Sequence, residues 1–221
     1  MMEITMSKDI EVRNAVLAEL AWEPRLDAAH VGVTANAGIV ALTGHVETFA
    51  QKVAATEAAW RVRGVNAVAE EIEVRLPFAM KRGDEEIAAA AVDRLAWDVS
   101  FPKDSIKVEI EKGWITLTGE VIWNYQKVAA EENVRFLLGV VGVSNHIAIK
   151  PRVDTTNVGD DIMHALHRSW FFDPRTVFVT ADRGAIKLTG TVKSWHDRQV
   201  AAATAWAAPG ATAVVNEIRV V

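Results

Sequence analysis

Leu42-Thr43-Gly44-His45-Val46 returns as Leu117-Thr118-Gly119-Glu120-Val121 and again as Leu188-Thr189-Gly190-Thr191-Val192. The glycines lie 75 and 71 residues apart, and with each taken as zero the three flanking segments align without a gap. A repeat of this kind decides the organisation before length or composition does: one unit of about 65 residues occurs three times.

Upstream, positions −32, −28, −27 and −24 hold Val12, Val16, Leu17 and Leu20; then Ile87, Ala91, Val92 and Leu95; then Val158, Ile162, Met163 and Leu166. That spacing predicts one apolar stripe of a helix. Val31/Val33, Ile106/Val108 and Val177/Val179 alternate as in a half-buried strand. Gly38, Gly113 and Gly184 follow where a hairpin turn needs positive φ. The next strand puts Val40/Leu42/Val46, Ile115/Leu117/Val121 and Ile186/Leu188/Val192 on one face. A second helix turns Ala55, Ala130 and Ala201 inward, and Gly64, Gly139 and Gly210 mark its C-terminal turn. A closing strand carries Val68/Ile72/Val74, Val143/Ile147/Ile149 and Val214/Ile218/Val220.

The predicted fold class is α+β: three tandem α-β-β-α-β domains over 8–76, 84–150 and 157–221, each a three-stranded mixed sheet with two helices on one face. The hairpin strands are antiparallel. The third strand returns across a helix and so runs parallel to the second, beside it by the right-handed crossover rule, with a place beside the first left open. Leu76–Gly83 and Pro151–Thr156 are the linkers. Units of about 65 residues bury only about 60% of their unfolded surface, which favours packing between copies. Gly44, Gly119 and Gly190 precede the last apolar residue of their strand, where a bulge or close backbone approach calls for glycine.

Half the residues are hydrophobic, so the chain has the means to build a core. With no cysteine there is neither a disulfide scaffold nor a thiolate metal site. The formal charge of −5 gives no support to bulk nucleic-acid binding, and no partner of that kind is expected. Phe136–Val143, the longest apolar run, is far short of the roughly 20 residues of a membrane span. The first residues do not form a basic segment followed by an apolar run. These features predict a soluble cytoplasmic protein, open to association with a membrane.

The pattern Leu-x-Gly-x-Val, then an Ala-rich helix, then Gly-Val-x-x-Val-x-Asn-x-Ile is resolved in stages. Copy two has Leu117 to Val121, Gly139-Val140 and Val143-Ser-Asn145-His-Ile147; copy three has Leu188 to Val192, Gly210 and Val214-Val-Asn216-Glu-Ile218. Copy one carries Glu70 where the others have asparagine, and Ala211 stands in copy three where valine is usual. The whole resembles the BON (bacterial OsmY and nodulation) domain, three times over. That resemblance implies non-enzymatic modules that bind phospholipid or other envelope surfaces and occur in osmotic-stress proteins, secretins and channels. The best-known relatives are periplasmic with two copies, whereas this chain has three and no visible signal.

No residue set suggests catalysis. None of the six histidines recurs in all three copies; His164 and His167 share a helix face but lack a third ligand, and no cofactor or metal is expected. Gly139-Val-Val-Gly142 matches a nucleic-acid-clamping GXXG loop, but its inner residues are apolar and a helix-ending turn is the preferred role. Position +8 is basic throughout, as Lys52, Lys127 and Arg198: either a stem covering apolar surface, the preferred reading, or a contact to lipid phosphate. Residues 1–77 hold 11 acids and 7 bases, so the first copy is least suited to an anionic membrane.

Of the eight tryptophans, Trp22 and Trp97 share position −22 and Trp60 and Trp206 share +16, recurrences that suggest packing. Trp123 and Trp195 differ: they open the second helix of copies two and three, with Lys127 and Arg198 a turn further on. Tryptophan at such a place suits a membrane interface. Trp123, Lys127, Trp195 and Arg198 are therefore the candidate lipid-facing edge. The partner expected is a phospholipid surface or envelope protein. The alternative is a chaperone-like or homo-oligomeric scaffold using apolar surface between copies.

Overall fold

A computed structural model describes residues 2–102, 104–150, 158–168 and 176–221, with side chains from residue 8 onward. Trp170 and the linker Pro151–Thr156 lie outside the described residues. The elements follow the predicted order: α1 (Met2–Trp22), β1 (Val31–Asn36), β2 (Ile39–Val46), α2 (Phe49–Arg61) and β3 (Ala67–Val74) in copy one. Copy two has α3 (Asp84–Trp97), β4 (Ile106–Glu111), β5 (Trp114–Val121), α4 (Asn124–Val134), β6 (Gly142–Asn145) and β7 (Ala148–Ile149). Copy three has α5 (Val158–Arg168), β8 (Val177–Asp182), β9 (Ala185–Val192), α6 (Trp195–Trp206), β10 (Ala213–Asn216) and β11 (Arg219–Val220).

Each copy forms its own sheet, with the second strand in the middle. β1 and β2 are antiparallel, with Val33 opposite Leu42, and β3 runs parallel on the other side of β2, with Val40 opposite Val68. The crossover therefore sets the third strand beside the second. In copies two and three that strand is broken into two short pieces, both parallel to the central strand in copy three. The break falls at Asn145–Ile147 and Asn216–Ile218, where the asparagine Oδ1 accepts from the isoleucine N–H two residues on, at 3.2 and 3.1 Å. The preceding N–H groups, of His146 and Glu217, still donate to Leu117 and Leu188 of the central strand.

The core of copy one gathers Val16 and Leu20 from α1, Val31, Val33, Val40, Leu42 and Val46 from the hairpin, and Ala55, Ala58 and Ala59 from α2. Copy three repeats it with Ile162, Leu166, Val177, Ile186, Leu188, Ala201 and Ala205. Alanine on the second helix lets the backbone approach the sheet, and each fully buried Val, Leu or Ile contributes roughly 1.5–3 kcal/mol. The helix stripe is narrower than the sequence suggests. Leu17 and Val92, at −27, are exposed, because the residue after a core position is turned about 100° away from it.

Trp22 and Trp97 also depart from the packing expected of them. They stand at the last residue of α1 and α3, 84% and 86% exposed, about 200° around the helix from Leu20 and Leu95. Trp60 is exposed as well, whereas Trp206 packs partly against the core of its copy.

By density of internal contact the chain forms two compact units: Met1–Ala91 with Ile110–Ile115 and Val134–Val143, and Val92–Glu109 with Thr116–Asn133 and Ser144–Val221. In the first, the C-terminal end of α1 is joined to α2 by charge. Arg61 reaches Glu19 at 2.7 Å and Glu23 at 2.9 Å, and Arg25 reaches Glu23 at 2.8 Å and Glu57 at 3.1 Å. The hydrogen bond from Arg25, with Arg61 adding to it against the cost of desolvation, pulls the Glu23 carboxyl down to about 2.

Gly44, Gly119 and Gly190 have φ of +112°, +132° and +119°, and a β-carbon on any of them would collide with the carbonyl oxygen of His30, Ser105 or Thr176. Gly119→Val should therefore cost about 1–3 kcal/mol, read as a lowered melting temperature. Because the folded Glu23 carboxyl lies below its unfolded value, its contribution is complete above about pH 4.5 and is lost as pH falls through about 2. The difference in melting temperature between wild type and Glu23→Gln should accordingly shrink on acidification across that window.

Candidate functional site

The second helix of each copy begins at the end of the Leu-Thr-Gly strand, and the three starts are built differently. In copy one Thr48 caps α2: its hydroxyl accepts from Gln51 N at 3.2 Å. In copy three Ser194 caps α6, accepting from Asp197 N at 3.1 Å. The same position in copy two is Trp123, which has no oxygen to offer. Gln126 folds back on the residues before the helix, its buried Oε1 accepting from Ile122 N at 2.9 Å and Trp123 N at 3.0 Å, as Gln51 accepts from Glu47 N at 2.9 Å in copy one. Its Nε2 donates to Ser100 O at 2.7 Å, tying the α3–β4 loop to the start of α4.

That tie holds two apolar segments at one end of the second copy. Val99, beside Ser100, is fully exposed, and Trp97 precedes it at the helix end. Ile122 and Tyr125 flank Trp123 and are exposed too, Tyr125 at 57%. Trp123 itself is half-buried and lines, with Tyr125, Val128 and Trp206, an apolar groove of about 920 Å³ within the second unit. Asp98 accepts from Ser100 N at 2.7 Å and from the Asn133 amide at 2.6 Å, and the Ser100 hydrogen bonds hold its carboxyl below the usual range.

The basic position +8 also divides the copies. Lys52 donates through Nζ to Ile72 O at 2.8 Å and pairs with Glu70 at 3.0 Å. Arg198 donates to Ile218 O at 3.0 Å and Asn216 O at 2.9 Å, its guanidinium 5.1 Å from the centre of the Trp195 ring. Both bases thus fasten the second helix to the third strand, in copy three at its turn and in copy one along an unbroken strand. The asparagine completes the latch by donating to the backbone of the same residue, Asn216 to Arg198 O at 3.0 Å and Asn145 to Lys127 O at 2.8 Å. Glu70 does part of the asparagine's work in copy one, accepting from Ile72 N at 2.7 Å while it pairs with Lys52. The ammonium of Lys127 has no hydrogen-bond or ion-pair partner among the described residues.

Of the four edge residues read from the sequence, Trp195 (58% exposed) and Arg198 are therefore brought together, but the guanidinium is largely engaged by backbone. Trp123 and Lys127 share α4's first turns with no contact between their side chains among those described. Sequence reasoning missed Trp97, Val99, Ile122 and Tyr125; the signal available was the Thr48/Trp123/Ser194 alignment, which shows a cap hydroxyl replaced by an indole. Gly64, Gly139 and Gly210 all have positive φ. Val140, inside Gly139–Gly142, is buried, and a β-carbon on Gly142 would strike the Trp114 ring, so these residues form a packed turn. His164 and His167 are exposed, and among the described residues no cluster of three or more metal-ligating side chains occurs. No helix among them is long and apolar enough to cross a membrane.

The profile of the BON domain matches residues 8–75, 83–151 and 154–221, and the chain belongs to the BON domain family. Osmotically-inducible protein Y of Escherichia coli (strain K12) is 28% identical to it over 146 residues, covering 64% of this chain and 73% of that protein. Among solved structures, CdsD, a structural protein of the type III secretion system of Chlamydia trachomatis, is 18% identical, with 96% of this chain and 92% of that chain covered and a TM-score of 0.27. The C-terminal domain of CdsD gives 19% identity, 96% and 98% coverage and a TM-score of 0.25. Scores of this size are too low to support a structural argument.

The latch makes its own prediction. Arg198→Ala should lower the stability of the third copy by about 1–3 kcal/mol, the range for two hydrogen bonds from a charged donor. Arg198→Lys should recover most of the loss, since Lys52 makes the equivalent bond. An alanine variant that melts like wild type would release Arg198 from this role.

Proposed function

We propose that the protein is a non-enzymatic binding protein that acts at a phospholipid or envelope surface, in the setting of osmotic or envelope stress, and that the second copy supplies the contact. Membership of the BON family and similarity to an osmotically inducible protein support the setting. The observation that carries the contact is Trp123 in a helix-capping position, beside exposed Ile122 and Tyr125 and joined through Gln126 to the loop that bears Val99. A tryptophan there forfeits a cap worth about 0.5–2 kcal/mol. Local stability yields to an apolar tip whose indole and phenol suit the boundary between headgroups and acyl chains. Lys127, a turn further along, leaves its charge for a lipid phosphate. Trp195, exposed at the first residue of α6, offers a second indole on copy three, at the other end of that helix from the groove. The place of action on this reading is a membrane surface facing the cytoplasm, which fractionation of cells checks directly.

The same observation sets a test in which stability and function move in opposite directions. Trp123→Ser restores a capping hydroxyl and should raise the melting temperature. The same variant should lose most of its co-sedimentation with phosphatidylglycerol vesicles and the blue shift of tryptophan fluorescence. Wild type that ignores such vesicles, or a Trp123→Ser variant that binds them equally, would refute the reading.

A further inference from the structure

We infer that the first compact unit contains a binding site for a compact, multiply charged phosphate compound, in the cleft between the end of β3, the linker before α3 and the β4–β5 turn. The cleft has a volume of about 600 Å³, within the range of small-molecule sites. Arg75, Lys81, Arg82 and Lys112 line it against two acids, Glu73 and Asp84. The lining residues alone carry an excess of two positive charges in a chain of formal charge −5, with Glu86, which accepts from Gly83 N, and Glu111, beside Lys112, just outside the lining.

Both acids are already committed. Asp84 accepts from Lys112 N at 2.9 Å and Gly113 N at 2.8 Å, fixing the hairpin turn to the first residue of α3, and Glu73 takes the Arg75 guanidinium at 2.7 Å. The cations are less so. The Lys81 ammonium has no partner among the described residues. Lys112 makes a 3.5 Å pair with Glu111 in which both side chains are in water, a contact worth little. Arg82 gives one terminal nitrogen to the carbonyls of Ala79 and Lys81.

Concave walls select the shape of the anion. A nucleic acid would run out of the cleft across an acidic chain, whereas a phosphate or diphosphate group stays within reach of two lysines and an arginine fork. Val74, Leu76 and Val141 supply an apolar wall, so the occupant carries a short apolar portion beside its phosphate. A soluble organophosphate and a phospholipid headgroup share that chemistry. The site uses none of the residues of the lipid-facing edge, so it stands or falls independently of the proposed function.

Isothermal titration of the full chain with inorganic pyrophosphate tests it. Wild type should bind saturably and more weakly as salt rises. Lys81→Gln/Lys112→Gln should bind at least about tenfold more weakly, with an unchanged thermal melt because both side chains lie at the surface. Lys187→Gln, which removes a cation of copy three, should leave binding intact. No saturable binding by wild type, or equal binding by the double variant, overturns the inference. Phosphatidic acid vesicles, whose headgroup is a phosphomonoester, distinguish the sources when used with the Trp123→Ser variant: binding that pyrophosphate displaces assigns the cleft to a headgroup, and pyrophosphate binding without vesicle binding assigns it to a soluble compound. Trp123→Ser should still bind pyrophosphate, which separates this site from the vesicle contact.

Discussion

A carbonyl oxygen fills the space where a β-carbon would stand, and it does so three times. The backbone of His30, Ser105 or Thr176 leans over the glycine of each Leu-Thr-Gly strand, and the left-handed φ of that glycine lets the hairpin start its pairing there. In copies two and three the same oxygen accepts from the residue after the glycine, Glu120 N at 3.3 Å and Thr191 N at 2.9 Å. Everything downstream is aimed by this contact. It sets which residues of the central strand face the helices, where the strand ends, and hence where the second helix begins.

Much of this is written in the sequence because it depends on short-range rules. Alternation at period two puts Val40, Leu42 and Val46 on one face, and the structure buries all three. Small residues at Ala55, Ala130 and Ala201 mark the helix face that meets the sheet, and all three are buried. The crossover rule gives the third strand its neighbour. What the sequence leaves illegible depends on contacts between distant positions. The Lys52–Ile72 and Arg198–Ile218 bonds span 20 residues, and neither partner is unusual by itself. Recurrence misleads at Trp22 and Trp97, because a residue repeated on an outward face looks in an alignment like one repeated in a core.

The copies share a frame and differ at the point where the frame tolerates change. A helix start needs its first amide groups satisfied, and a hydroxyl at position +4 meets part of that need in copies one and three, from Thr48 and Ser194. In copy two an indole takes that position, and only the glutamine fold-back onto the residues before the helix, which copy one also has, remains. The latch at position +8 diverges in the same manner, with lysine and glutamate in one copy and arginine and asparagine in another. In copy two the asparagine remains and the base is left over. Two departures from the common pattern thus fall about one helical turn apart, at the start of α4.

The third strand is also the outer strand of its sheet, and three tandem sheets expose three such edges in one chain. An unpaired edge is a template for another strand, and neighbouring repeats are always close enough to try. Copies two and three are protected by the asparagine turn, which cuts the edge into pieces of four and two residues. Copy one keeps an uninterrupted edge of eight residues and carries Glu70, Glu71 and Glu73 along it. Glu70 is turned toward the second helix and held by Lys52, while Glu71 and Glu73 lie on the other face of that edge; those outward carboxylates oppose by charge the strand addition that the turn opposes by interruption, in a chain that repeats one frame three times.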